Sequence, residues 1–347
     1  MARLDPQSQS LNLSTSLRDA VVVLSGGSRG IGAATVSLLG SYGAKVVFGD
    51  LDEPMTPSPP NSTFIRTDVR NYADIVKLFK AALDQHGRVD HAISNAAIME
   101  RSGWFSPSLG IDGVANMPDM ATEEINLRGS MWFAHVAVQY LAHGAAGDEN
   151  KSLTLMSSVA GFKETPGLFA YQAAKHGVIG IMRSLRLYLP KAFKVNIRVN
   201  TVCPSATNTQ MIAGIKGTWD DSAIKINSVE DVGNIIVAIC AAGKGSQSVW
   251  YDGVNSQGTR RRRNRGGMDW DDDEREARGM SGRSWVVIAG QAWDLEENLD
   301  RTEDLWLGLE SSEVLEKGQR ALGVGGDWIP SGGAKGQERQ VPVVPDS

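Results

Sequence analysis

The stretch from Ala20 to Asp50, AVVVLSGGSRGIGAATVSLLGSYGAKVVFGD, restricts the fold of this chain more than any other. An apolar run, Ala20 to Leu24, leads into a glycine-rich turn, then a segment with helical spacing, then a second apolar run, Lys45 to Gly49, that ends on Asp50. The order is strand, turn, helix, strand. Strands joined through a helix run parallel, with a right-handed crossover. Gly26, Gly30 and Gly32 stand at the spacing G-x-x-x-G-x-G. Glycines here let the turn bend tightly, let backbone approach a pyrophosphate and let helix pack close to strand, while the helix amino terminus offers N–H groups to the anion. A dinucleotide site is the expectation, with a purely structural turn as the alternative.

The alternation continues along the chain. Thr63 to Thr67 reads as a third strand closing on Asp68 and Val69, Tyr72 to His86 as a helix, and Val89 to Ser94 as a fourth strand ending in Asn95-Ala96-Ala97. An irregular stretch, Met99 to Asp119, carries Trp104 and Phe105 and precedes a helix over Thr122 to Leu141, which includes Asn126 and Arg128. A fifth strand ends with Leu153 to Met156, a sixth spans Val195 to Val202 and turns at Pro204, and Val229 to Ala242 has an amphipathic helical pattern. The expected fold is therefore α/β: a Rossmann-type, doubly wound parallel sheet of about seven strands with helices on both faces. Ligands of such sheets lie beyond the carboxyl ends of the strands, where Gly26, Asp50, Asp68, Asn95 and Ser158 all fall.

Two constellations suggest chemistry. Asp50, about 20 residues past the glycines, is suited to hydrogen-bond adenosine ribose hydroxyls and to repel a 2'-phosphate, which favours NAD. Arg29, in the glycine loop, has the reach to pair with a 2'-phosphate and keeps NADP open. Tyr171 and Lys175, four residues apart in AYQAAKHGVIGIMRSLRLYL, share one helix face. Ser158 stands thirteen residues before Tyr171 at the end of the fifth strand, and Ser157 beside it is the alternative hydroxyl. Taken alone, a Tyr-x-x-x-Lys pair is as well explained by two surface side chains.

Together these segments resemble the short-chain dehydrogenase/reductase family, from about Arg18 to Ala242 plus a last strand. SGGSRGIG, including Ile31, resembles the family's cofactor loop TGxxxGIG, Asp68-Val69 its adenine-contacting pair, and SNAA its NNAG turn. INLRG resembles the segment with the catalytic Asn, SSVAG and YQAAK those with the catalytic Ser, Tyr and Lys, and CPSATNT the PGxxxT loop that closes over nicotinamide. The resemblance implies catalytic roles for Ser158, Tyr171, Lys175 and Asn126. It implies cofactor contacts from Gly26, Arg29, Gly30, Ile31, Gly32, Asp50, Asp68, Val69, Asn95, Arg128, Tyr171, Lys175, Thr207 and Thr209. Tyr171 would act as acid or base on a substrate oxygen, Lys175 would favour its phenolate and hold the nicotinamide ribose, and Asn126 would hold a water linking Lys175 to solvent. Ser25, Ala97 and Ser205 depart from the family pattern, and Ser205 in place of glycine restricts the loop over nicotinamide. The implied activity is hydride transfer between NAD(P) and a secondary alcohol or ketone on a medium-sized apolar metabolite. A catalytically idle, dinucleotide-binding interaction protein is the reading from another class.

Composition narrows the partners. With 35 Lys+Arg against 40 Asp+Glu, a net charge of -5 gives no reason to expect nucleic acid or an anionic membrane. The two cysteines, Cys203 and Cys240, allow no disulfide framework, and the five histidines show no metal spacing, so no metal is expected. No apolar stretch is long enough to span a bilayer, and a cytoplasmic, homo-oligomeric protein, dimer or tetramer, is expected. Three segments fall outside the simple pattern: a polar leader over 1–17, an Arg-rich then Asp-rich insertion over 246–282 expected to be disordered, and an extension over 291–347 whose end is expected to be disordered. The seventh strand is placed at Trp285 to Ala289, with SVWYD as the competitor.

Overall fold

The computed structural model of the chain describes residues 3–8, 11–101, 103–145, 149–215, 225–243 and 280–322. Its frame is a single sheet: β1 (Arg3–Leu4), β2 (Val21–Ser25), β3 (Lys45–Asp50), β4 (Ser62–Arg66), β5 (His91–Ser94), β6 (Lys151–Met156), β7 (Ile197–Pro204), β8 (Arg283–Ile288) and β9 (Gln291–Asp294). Among the described residues the order is β1-β9-β8-β7-β6-β5-β2-β3-β4. β2 to β8 are parallel, as the alternating pattern requires.

The helices divide between the two faces. α1 (Gly30–Ser41) and α5 (Val229–Ala241) bury Val36, Leu39, Val232 and Ile236 on one face, while α2 (Tyr72–His86), α3 (Ser130–Ala142) and α4 (Phe169–Ala192) bury Leu78, Phe133 and Val178 on the other. The ends of α2 follow local rules: the Asn71 side chain accepts from the Ala73 N–H at its start, and Gly87 closes it at φ 75°. Among the described residues, no helix is long and apolar enough to cross a membrane.

The sheet exceeds the expected seven strands by two, both antiparallel. β8 turns through Ala289 and Gly290, at φ 51° and 75°, into β9, and β1 pairs with β9 at Arg3↔Trp293 and Leu4↔Ala292. Two consecutive positive φ values make a tight hairpin, which an Ala-Gly pair does not signal as Asn-Gly would. The leader is likewise more than a polar tail: Leu4, Leu11 and Leu17 are buried in the core against α5. The last parallel strand falls where SGRSWVVIAG was read, whereas the competing SVWYD and most of the 246–282 segment lie outside the described residues. So does the end of the extension.

Beyond β9, the described part of the extension is α6 (Glu296–Leu307) and α7 (Leu309–Leu322). Glu296, 2% exposed, accepts from Arg183 and Arg186 of α4 and from the Ser284 hydroxyl of β8. A buried carboxylate needs that many donors to offset its lost hydration. The contact fixes the extension to the helix that carries Tyr171 and Lys175.

Candidate active site

The site forms at the carboxyl edge of β2 to β7. At the end of β2, Gly26 (φ 75°) and Gly30 (φ 54°) take backbone conformations that L side chains rarely adopt. A Cβ on Gly32 would lie 1.8 Å from the Gly26 carbonyl, so only glycine lets α1 start this close to the strand. Arg29, the residue preceding α1, offers no side-chain cap to its first turn. Those N–H groups therefore remain available to an anion. Asn95 braces the turn from β5, its Nδ2 donating to the Gly26 carbonyl at 2.8 Å, and Ser25 Oγ accepts from the Asn95 N–H at 3.2 Å. Ser25 thus keeps the hydroxyl that its position calls for.

At the end of β3, the Asp50 carboxylate is fixed by two backbone donors, the Ser28 N–H at 3.0 Å and the Leu51 N–H at 2.8 Å. Arg29, the alternative cofactor determinant, is ion-paired with exposed Asp52 instead. Asp68 pairs with Arg70 at 2.7 Å, and the hydrogen bonds from Arg70 outweigh partial burial to hold its carboxyl below the usual range. Val69 beside it is buried.

Ser158, Tyr171 and Lys175 meet at the end of β6. Tyr171 is 8% exposed, and burial raises its pKa while a hydrogen bond with Ser158 lowers it; the net direction is up. Lys175, 2% exposed, donates to the Met156 carbonyl at 2.9 Å, and its Nζ stands 5.5 Å from the centre of the Tyr171 ring. Burial draws the Lys175 pKa down to about 8. Desolvation is the largest effect at both groups, raising Tyr171 and lowering Lys175. Ser157 is committed elsewhere: its buried hydroxyl donates to the Lys175 backbone carbonyl at 2.8 Å. Cys203, fully buried in β7, has its thiol pushed up to about 12 by burial, as fits a packed residue rather than a nucleophile.

Asn126 lies in a π-helical turn, Glu124–Gly129, just before α3. Such turns disturb the helical ladder and are frequent at functional sites. Its buried amide bridges both backbone groups of Ile98, accepting from the N–H and donating to the carbonyl, each at 2.8 Å. It therefore clamps the loop after β5, and one N–H and one lone pair of the amide are left for the water it was expected to hold. Arg128, also expected near cofactor, is engaged by Glu124 at 3.3 Å and stacks 4.9 Å from the Trp132 ring.

Thr207 and Thr209 follow β7. Thr207 is buried and Thr209 lies beside Gly30, where an added Cβ would stand 3.4 Å from Thr209 Cγ2. Their loop is held by Asn227, a residue with no signal in the sequence: its Nδ2 donates to the Ser205 hydroxyl and the Val287 carbonyl, and its Oδ1 accepts from the Gly290 N–H. Glu100 is a second residue without a sequence signal; its carboxylate accepts from the Tyr171 N–H at 2.9 Å.

Known proteins similar to this chain bear on this arrangement. Residues 20–218 match the sequence model of the short chain dehydrogenase family. The chain is 29% identical to the short-chain dehydrogenase/reductase prx4 of Penicillium rubens over 301 residues, 86% of this chain and 83% of that protein. It is 38% identical to the short-chain dehydrogenase/reductase ascJ of Acremonium egyptiacum over 196 residues, 56% of this chain and 66% of that one. Among solved structures, a dehydrogenase/reductase from Sinorhizobium meliloti superposes with a TM-score of 0.57 at 19% identity, covering 82% of this chain and 99% of the other, a likeness of fold.

Proposed function

Because the chain belongs to the short-chain dehydrogenase/reductase family and is an oxidoreductase that works with a nicotinamide cofactor, we propose that it transfers hydride between NAD and a secondary alcohol or ketone, with Tyr171 moving the proton. The observation that carries this reading is the buried contact of Ser158, Tyr171 and Lys175 at the sheet's carboxyl edge. The residues fit the cofactor: the glycine turn, where a Cβ on Gly32 would strike the Gly26 carbonyl, and the uncapped start of α1 form a cradle of bare backbone that suits a pyrophosphate. Gly26, Gly30, Ile31 and Gly32 would line that cradle, Asp50 would take the adenosine ribose, Asp68 and Val69 the adenine, and Asn95 would brace the turn. Lys175, Thr207 and Thr209 would lie on the nicotinamide side. When bound, nicotinamide supplies or accepts the hydride.

The protein's own part is the proton. Tyr171, a phenol at neutral pH with its pKa raised, is suited to donate to the oxygen of a ketone as negative charge develops there. Ser158 would donate to the same oxygen. Lys175, as an ammonium, would stabilise the phenolate that remains, and Asn126 would hold the loop after β5 in register. Since Lys175 has a pKa of about 8, its charge is present below that pH and lost above it. The rate of ketone reduction is therefore expected to be level below about pH 8 and to fall above it. A pH profile of kcat checks this; a rate that holds to pH 10 would contradict the role given to Lys175.

For the cofactor, the carboxylate of Asp50 at contact distance from a 2'-phosphate would cost about 1–4 kcal/mol. NADH is expected to bind about tenfold or more tightly than NADPH, and Asp50→Asn to narrow the gap. Separate fluorescence titrations measure both, and tighter NADPH binding by the parent chain would overturn the preference. Screening a panel of ketones and alcohols for consumption or formation of NADH tests the activity itself. The reading of an idle interaction protein finds no support in the intact Ser158, Tyr171 and Lys175.

A further inference from the structure

Two polar atoms on the loop after β5 are buried without a partner among the described residues. Glu100 uses one carboxylate oxygen, Oε2, to accept from the Tyr171 N–H, while Oε1 is buried and unpaired. Four residues on, Trp104 Nε1 is also buried and unpaired. An unsatisfied buried polar group costs on the order of 1–3 kcal/mol, more for a charged one. Native structures hold few such groups, and a binding role accounts for two on one loop, one of them on the residue bonded to the Tyr171 N–H. The aromatic pair Phe105 and Phe169 lies alongside. Their rings stand 4.7 Å apart at 73°, both are exposed, and Phe169 is two residues before Tyr171.

We infer that Glu100 selects substrates carrying a hydroxyl donor about one aromatic ring's length from the carbon that exchanges hydride. The inference rests on the hydride-transfer reading of the site. Glu100 is tied to the backbone N–H of Tyr171, and the phenol stands at the far end of the same side chain. The Tyr171 side chain spans from that N–H to the phenol, and a hydroxyaryl ketone is of comparable length. Phe105 and Phe169 offer apolar faces to its ring, and the Trp104 N–H is left for a further oxygen. A carboxylate in place of the hydroxyl would meet Glu100 as a like charge and be rejected.

The test uses three ketones of one shape: 6-hydroxy-1-tetralone, 6-methoxy-1-tetralone, whose oxygen accepts but cannot donate, and unsubstituted 1-tetralone. With NADH and the full chain, the hydroxy ketone should exceed both others in kcat/KM by about 10–100-fold, the range of one hydrogen bond to a charged group. Glu100→Gln is nearly isosteric. If its carbonyl keeps the Tyr171 N–H, its amide turns a donor toward the substrate, and the preference should reverse toward the methoxy ketone. Glu100→Asp should keep the original order at lower kcat/KM. Melting temperature and NADH binding of each variant establish that it is folded. Equal use of the three ketones by the parent chain, turnover of none of them, or an unchanged order in Glu100→Gln overturns the inference. Other ketones still reduced in a Tyr171-dependent manner would show that the hydride-transfer reading survives that failure, whereas loss of all NADH-linked activity would remove both.

Discussion

Replacing Tyr171 by Phe is expected to lower turnover about 10³-fold, within the range that a positioned general acid or base contributes, while leaving NADH binding and the melting temperature close to those of the parent chain. The substitution removes one oxygen from a side chain that is already 8% exposed, so it opens no cavity and strands no charge. What it removes is the only proton that the tyrosine can give to the substrate oxygen. Ser158 keeps a backbone partner, since its Oγ accepts from the Ala160 N–H at 3.2 Å, and Lys175 keeps the Met156 carbonyl. The rest of the site should therefore stay assembled. Steady-state rates set beside NADH fluorescence titration separate the outcomes. A variant within tenfold of the parent rate would remove Tyr171 from the proton transfer, and one that no longer binds NADH would show a structural role instead.

Replacing Arg198 by Ala is expected to produce the largest loss of stability, about 3–5 kcal/mol, because several buried acceptors at about 1–3 kcal/mol each would lose their donor, or roughly 10 °C in Tm for a domain of this size. Arg198 is 2% exposed in β7, and burial draws its pKa down to about 10. Its guanidinium donates to neutral oxygens: Asn150 Oδ1 at 2.8 Å and the carbonyls of Ile239 at 2.9 Å, Cys240 at 3.3 Å and Met280 at 3.1 Å. Ile239 and Cys240 belong to the last turn of α5, where a cation also meets the negative end of the helix. Truncation would leave these acceptors buried and unpaired. Thermal unfolding measures the loss; a drop of less than 2 °C would show that water replaces the guanidinium. The same side chain holds the chain where it departs after α5 and where it returns at Met280.

Much of this protein was legible because its signals are local. The glycine turn, the helix Tyr72–His86 and the parallel strands follow from short-range pattern, and the structure returns them within a residue or two. The π-helical turn at Asn126 was hidden, since one extra residue in a helical turn leaves the apolar spacing almost unchanged. β1 and β9, of two and four residues, are too short to show a period. Glu100, Asn227, Arg198 and Glu296 were missed for a different reason. Each is a polar residue made necessary by partners distant in the chain, and nothing beside it in the sequence announces them. Even at the proposed site, the sequence pointed to Tyr171 and Lys175 but not to the direction in which burial shifts both groups.

The short pairing of Arg3–Leu4 with Ala292 and Trp293 also bears on how the molecule is made. The first strand of the sheet finds its partner only after nearly all of the described chain has been synthesised. Until then β8 lacks its neighbour, Leu4 has no place in the core, and the sheet presents an unpaired edge. Contacts of such sequence separation form late and slow the final step of folding. The emerging chain is thus most exposed to edge-to-edge association just before β9 leaves the ribosome, and a chaperone would be needed most in that interval.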